Sequence, residues 1–265
     1  MNINKAVIVA ISSILSTVAC AGGMQNEPDT CWGNVGSCQE APLPEPAPWL
    51  RVFAFSAGPG TTNNGATQTV HLKTGIQKTY YATDERTTLF NGELFYGAQR
   101  AINAMFFGQV GVALAVASNA HLSGNIWEDA DPDFNHYQYR YDVNHAHLAL
   151  KGKLLAEVGQ FAQPYVSASL GVGANRSHDF TIAPIIYQEV PAPLFEDHTT
   201  IAFAYTLGVG AQTAVNANWQ IGIGYELSSW GESKLAAARG QTMGVGLKLA
   251  NVYTNTLLMT LSYTA

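Results

Sequence analysis

Charge is scarce in this chain: 12 % of its 265 residues are Asp, Glu, Lys or Arg, and the formal balance is −6. No basic footprint exists for a nucleic-acid backbone to meet, which excludes that class of partner. Long apolar runs are nearly absent as well. Beyond Ala21 no uninterrupted hydrophobic stretch approaches the roughly 20 residues that a membrane-spanning helix needs, so a helical membrane protein is excluded. Cysteine is limited to Cys20, Cys31 and Cys38. Low charge combined with 47 % hydrophobic residues also argues against a disordered chain.

What is present begins with a leader. "MNINKAVIVAISSILSTVACAGG" places Lys5 before an apolar stretch from Ala6 to about Ala19, with small residues at Ala19 and Ala21. This is the pattern of a secretory signal peptide over residues 1–21. A lipoprotein reading, with Cys20 acylated, is weaker, because Thr17 stands three before the cysteine where an aliphatic residue is expected. In the oxidising compartment so reached, Cys31 and Cys38 of "CWGNVGSC" are expected to close a small disulfide loop. A two-cysteine metal site would lack nearby histidines. Residues 22–48, with "EAPLPEPAPW", read as an extended, proline-rich periplasmic tail.

From Trp49 onward hydrophobicity alternates with period two. Eight strands are expected: about 49–58, 87–99, 105–118, 137–154, 164–175, two within 200–228, and 254–264. The connections alternate in length, with long ones at about 59–86, 119–136, 176–198 and 229–253. Short turns on one side and long loops on the other mark a transmembrane β-barrel, here spanning residues 49–265. The segments 67–82 and 241–250 also leave ten strands open.

Parity assigns the faces. Ile201, Phe203, Tyr205, Leu207 and Val209 share one side, opposite Ala202, Ala204, Thr206, Gly208, Gly210 and Gln212. Val110, Val112, Leu114 and Val116 do the same against Gln109, Gly111, Ala113 and Ala115, as do Leu257, Met259, Leu261 and Tyr263 against Thr260 and Ser262. A soluble sheet turns its large side chains to a core and its polar ones to water. Here the opposing face is small rather than charged, which suits lipid outside and a narrow lumen inside. A secreted sandwich or a lipocalin-like barrel is the competing reading, and it would want Lys and Glu where this chain has Gly and Ala. The fold class expected is therefore an all-β, eight-stranded, antiparallel up-and-down transmembrane β-barrel. Trp49, Trp219, Tyr225 and Tyr263, with Tyr165 and Phe161, fall near strand ends, where aromatic girdles belong.

"PYVSASLGVGANRS", "FAYTLGVGAQTAVNANWQIGIGYELSSWGES" and "YTNTLLMTLSYT" resemble the opacity-protein-like outer-membrane β-barrel family of Gram-negative bacteria over about residues 49–265. The resemblance implies eight strands surrounded by outer-membrane lipid and inserted by the outer-membrane assembly machinery. Members of that family usually end on an aromatic residue. This chain reads Tyr263-Thr264-Ala265, so Tyr263 is the candidate for that signal.

Several polar residues have lumen parity: Glu93, Gln109, His145, His147, Lys151, Lys153, Gln212 and Glu226. Charges in a narrow interior must pair, so an internal Glu/Lys network that plugs the lumen is expected, with Glu226 and a lysine of 137–154 as the preferred pair. A gated pore is the functional alternative. His145 and His147 share a strand face at a spacing usable by a metal. Asp129, Asp131 and Asp133 alternate like a calcium loop, but Phe134 stands where its glycine should and Arg140 where its bidentate acid should. Ser177, His178 and Asp179 are adjacent and so cannot build a triad among themselves. No catalytic residue, metal or cofactor is expected. The role expected is structural or surface contact through long extracellular loops whose ligand the sequence does not name. The alternatives are a small-solute channel and, behind it, a lipid A-modifying enzyme.

Overall fold

The computed structural model describes residues 48–63, 65–83, 86–158, 162–186 and 194–265. The leader, the proline-rich tail, Cys31 and Cys38 lie outside the described residues, as does Phe161. Twelve strands follow in order: β1 (Leu50–Thr62), β2 (Gln68–Lys73), β3 (Ile76–Ala82), β4 (Thr88–Ala101), β5 (Phe106–Glu128), β6 (Asn135–Ala156), β7 (Gln163–Pro184), β8 (His198–Ala214), β9 (Trp219–Ser229), β10 (Ser233–Lys234), β11 (Lys248–Leu249) and β12 (Tyr253–Thr264).

Eight of them close a ring in the order β1-β4-β5-β6-β7-β8-β9-β12, every neighbour antiparallel. The seam between first and last runs from Val52 opposite Thr264 to Thr62 opposite Thr254. Closure satisfies each strand on both sides, which is what a sheet in hydrocarbon requires. Large apolar side chains line the outside: Leu150 is 64 % exposed, Ile201 68 % and Met259 71 %. Only lipid can cover such a belt, so the chain is a transmembrane β-barrel. The ten-strand alternative is resolved too. The β2–β3 hairpin pairs with the upper part of β5 and stays out of the ring, and 241–250 contributes only the two-residue β11.

Two of the short turns use one device. In "INAMF" Asn103 Oδ1 accepts from the backbone N–H groups of Met105 and Phe106, both at 2.8 Å. In "VNANW" Asn216 Oδ1 accepts from Asn218 and Trp219, both at 2.9 Å. A short amide side chain that caps its own turn explains why asparagine sits at each.

The loop end departs from expectation. The loops expected at 119–136 and 176–198 are in large part strand, because β5 continues to Glu128, β6 begins at Asn135 and β7 runs to Pro184. Above the lipid belt these strands turn inside out. On β5 the even positions Val110 to Val116 face outward, whereas the even positions Ala120, Leu122 and Ile126 are buried. Between the Ala117–His145 and Ala120–Val143 pairs β5 advances three residues and β6 two. One extra residue flips every side chain beyond it. On β7 a second bulge lies between His178 and Thr181, with Asp179 at φ 57°.

β6 has no bulge of its own at this level and makes the same inversion by sequence. Its odd positions face inward throughout, but they change from His145, His147 and Lys151 to Tyr137, Tyr139, Tyr141 and Val143. The bulges are filled by side chains: Asp142 bonds His121 Nδ1 at 2.6 Å and Asn119 at 3.0 Å, and Asn144 donates to Asn119 at 2.9 Å.

The result is a water-side cap with a core of its own. Tyr80 packs against Tyr139 at 5.5 Å and Phe195 at 5.3 Å, and Phe195 against Phe180 at 5.0 Å. The 230–252 segment adds Trp230, Leu235 and Leu247 to the same cluster. The aspartates of the β5–β6 connection are accounted for by its turn. Asp129 and Ala130 take positive φ, and Asp131 caps the 3-10 turn Pro132–Phe134 by accepting from the Asp133 N–H at 3.0 Å.

Candidate functional site: the barrel lumen

Three polar layers cross the interior. Nearest the short turns, Gln109 donates to Gln99 at 2.7 Å, and Lys153 donates to Gln212 Oε1 at 2.6 Å. Gln212 in turn donates to Gln163 and Gln220. The Lys153 ammonium also sits 3.7 Å from the centre of the Tyr165 ring, a cation–π contact.

Tyr165 is thus a lumen residue and not part of a girdle. Its ring occupies space that two glycines leave open: a Cβ at Gly224 would stand 2.2 Å from Tyr165 Oη, and one at Gly210 would stand 2.6 Å from it.

The middle layer is ionic. Lys151 Nζ bonds both carboxylate oxygens of Glu93 at 2.7 and 2.8 Å, and Glu226 Oε2 at 2.9 Å. Glu93 comes from β4, Lys151 from β6 and Glu226 from β9, so the Lys151–Glu226 bond spans the lumen. Ser228 supports Glu226 with a hydroxyl at 3.3 Å. Two carboxylates and two lysines leave the interior balanced, although Lys153 is held by an amide and a ring instead of an acid. Buried charges so matched avoid the desolvation penalty of an unpaired ion.

The upper layer joins lumen to cap. His145 Nδ1 meets Asn175 Oδ1 at 2.6 Å, and His145 Nε2 meets His147 Nδ1 at 2.9 Å. The Trp230 ring stacks on His145 at 4.4 Å with planes 4° apart. The spaces left between layers are small. A cavity of about 40 Å³ lies among Lys151, Lys153, Glu93 and Glu226, and one of about 20 Å³ lies below Trp230. Each is room for a few waters.

The expected polar set of Glu93, Gln109, His147, Lys151, Lys153, Gln212 and Glu226 thus lies in one lumen. Sequence reading missed Asn175, Trp230, Tyr165, Gln99, Gln163 and Gln220 as members. Gln99, Gln163, Tyr165, Asn175 and Gln220 had the parity signal, because they share it with Glu93, Ser167 and Glu226. Trp230 follows the last residue of β9 and had none.

Of the aromatic set, Trp219 and Tyr263 pack at 5.0 Å near the turn end, and Trp49 lies beneath the Arg100 guanidinium at 5.6 Å. Tyr225 sits six residues further along β9, its hydroxyl donating to Asn255 Oδ1 at 2.8 Å.

Ser177 turns inward to Ser233 at 2.7 Å. Both His178 ring nitrogens are engaged, by Asp179 at 2.8 Å and by Asn144, so the three residues make no nucleophile and base. Among the described residues no group of three or more His, Cys, Asp or Glu is placed to hold a metal.

No protein-family model matches the chain, and no curated protein matches it in sequence. Among solved structures it is similar to Neisserial surface protein A (12 % identity over 81 % of this chain and 96 % of that one, TM-score 0.38). It is also similar to Ail, the attachment invasion locus protein of Yersinia pestis (14 %, 81 % and 99 %, TM-score 0.33). A third is the outer membrane protease OmpT from Escherichia coli (9 %, 82 % and 97 %, TM-score 0.42). These likenesses run through most of each chain, at identities too low to carry a residue's role across.

Proposed function

We propose that this protein is a non-enzymatic β-barrel of the Gram-negative outer membrane, closed to solutes, which holds a folded cap at the cell surface for contact. The observation that carries the reading is the ionic layer: one lysine bonds carboxylates from β4 and β9 across the interior. With the lumen crossed, the part of the molecule open to a partner is the cap, which has its own aromatic core. Its outer wall carries a stacked pair, the exposed Tyr81 and the half-buried Trp127, at 4.8 Å. The signal-like leader and the assembly machinery implied by the family resemblance fit the same location.

Two measurements test this. Purified protein in a planar bilayer at neutral pH should give no steady conductance steps; regular steps would replace this reading with the channel. Bacteria displaying the full chain should attach to a surface better than bacteria displaying one with β5 and β6 shortened above the lipid belt. Equal attachment would remove the surface-contact role.

A further inference from the structure

Among the described residues, the one imidazole nitrogen buried without a partner is His147 Nε2, in a residue 6 % exposed. The hydrogen bonds leading to it fix its protonation. Asn175 Nδ2 donates to the carbonyl oxygens of Trp230 and Glu232, at 2.8 and 2.7 Å, so Asn175 Oδ1 is left to accept. It accepts from His145 Nδ1, which leaves the lone pair of His145 on Nε2. That lone pair accepts the Nδ1–H of His147, so His147 carries its own lone pair on Nε2. His147 lines the cavity of about 20 Å³ together with Glu93, Glu226, Asn91 and Ser228.

The other end of this chain holds the root of a loop. Asn175 grips the Trp230 and Glu232 carbonyls, and His145 carries the Trp230 ring. Trp230 N–H donates to the Val252 carbonyl at 2.8 Å and Val252 N–H to the Gly231 carbonyl at 3.0 Å, so both ends of the 230–252 segment meet here.

We propose that His145 and His147 are an acid-operated latch on the 230–252 segment. The first proton enters at His147 Nε2, the free lone pair, and turns it into a donor toward the Glu93 and Glu226 carboxylates. The second must enter at His145 Nε2, where it meets the Nδ1–H of His147. Two donors then face each other, the rings part, and the platform under Trp230 is lost.

The ionisable groups facing the pair are Glu93 from β4, Glu226 from β9 and Lys151 from β6 itself. β5 presents Ala115 and Ala117, β7 Gly173 and Asn175, and β12 Leu258, none of which titrates. Both steps add a proton to a neutral ring, so the latch opens only on acidification. It concerns the hold on the loop and is independent of what the cap contacts.

The test uses the full folded chain in detergent micelles. Histidine ¹⁵N signals and amide exchange at Trp230 and Val252 are followed from about pH 7.5 to about pH 2.5, with exchange corrected for its intrinsic pH dependence. At the upper pH both rings should be Nδ1–H tautomers. On acidification two protonation steps are expected, and exchange at both amides should rise about tenfold or more with the second. In His145→Gln/His147→Gln exchange should stay flat. The proposal is overturned by the opposite tautomers at neutral pH, by protonation that leaves exchange unchanged, or by the same rise in the double variant. If that variant does not fold, the wild-type correlation alone decides.

Discussion

At the scale of the residue, Lys151 holds two acids from opposite sides of the lumen, and removing it leaves both without their hydrogen-bonded cation. Breaking such a buried set costs about 3–5 kcal/mol, whereas replacing all its members by neutral groups of similar volume is often harmless. Lys151→Met should therefore lower the unfolding free energy of the detergent-folded protein, read by urea titration, by that order, and Glu93→Gln/Lys151→Met/Lys153→Met/Glu226→Gln should recover most of the loss. A Lys151→Met midpoint equal to wild type would show that the ionic layer holds nothing together.

Tyr165 and Gly224 form a second coupled pair. Gly224→Ala drives a methyl into the Tyr165 hydroxyl and should cost about 1–3 kcal/mol, as overpacking does. Tyr165→Phe removes the clashing atom. The double variant should then lose less than the two single losses added together, which a double-mutant cycle would read. Both pairs show the limit of reading residues singly. Parity told that Glu93, Lys151 and Glu226 face inward, but not that one lysine serves both acids.

At the scale of the element, the bulges decide what the upper strands are for. Inserting one alanine between Ala120 and His121, beyond the extra residue of β5, would turn Leu122 and Ile126 to the outer face. The barrel below should survive while the cap loses its core, so trypsin should cut the 119–142 hairpin in the variant and spare it in wild type.

The cap also has a pH signature. Burial pushes the phenols of Tyr80, Tyr139 and Tyr141 up, with Glu128 adding to the effect at Tyr80 and Tyr139 adding at Tyr141. In the unfolded chain these groups ionise near pH 10. A folded pKa above that value means the stability they contribute is whole below about pH 10 and is lost as pH rises further. Absorbance at the phenolate band should therefore reveal a late-titrating class of tyrosines, which joins the early class once the protein is boiled. Alternation on a single parity makes the upper strands look like loops, because at a bulge the parity itself changes.

At the scale of the whole molecule, the ring must close on itself. Gly58 lies at the β1–β12 seam, where a Cβ would stand 1.8 Å from the Leu257 carbonyl oxygen. No side chain can move aside to relieve a clash with backbone. Gly58→Ala should thus open the seam, and the compact band of unboiled samples on a detergent gel should disappear. A compact band of undiminished intensity would show that closure does not depend on that contact.

The sequence by itself determined the large-scale answer: a barrel of lipid-crossing strands, short turns at one end, bulk outside and small or polar groups within, with the choice of eight strands over ten left to the structure. It could do so because alternation is local, each strand declaring its two faces without reference to any other. Tertiary structure alone decided the register around the ring, and with it the pairing of Lys151 with two acids, the placing of Trp230 on His145, and the level at which lipid gives way to a cap. Those outcomes depend on offsets summed over successive strand pairs and on single extra residues at bulges, and neither leaves a mark on any one strand's pattern.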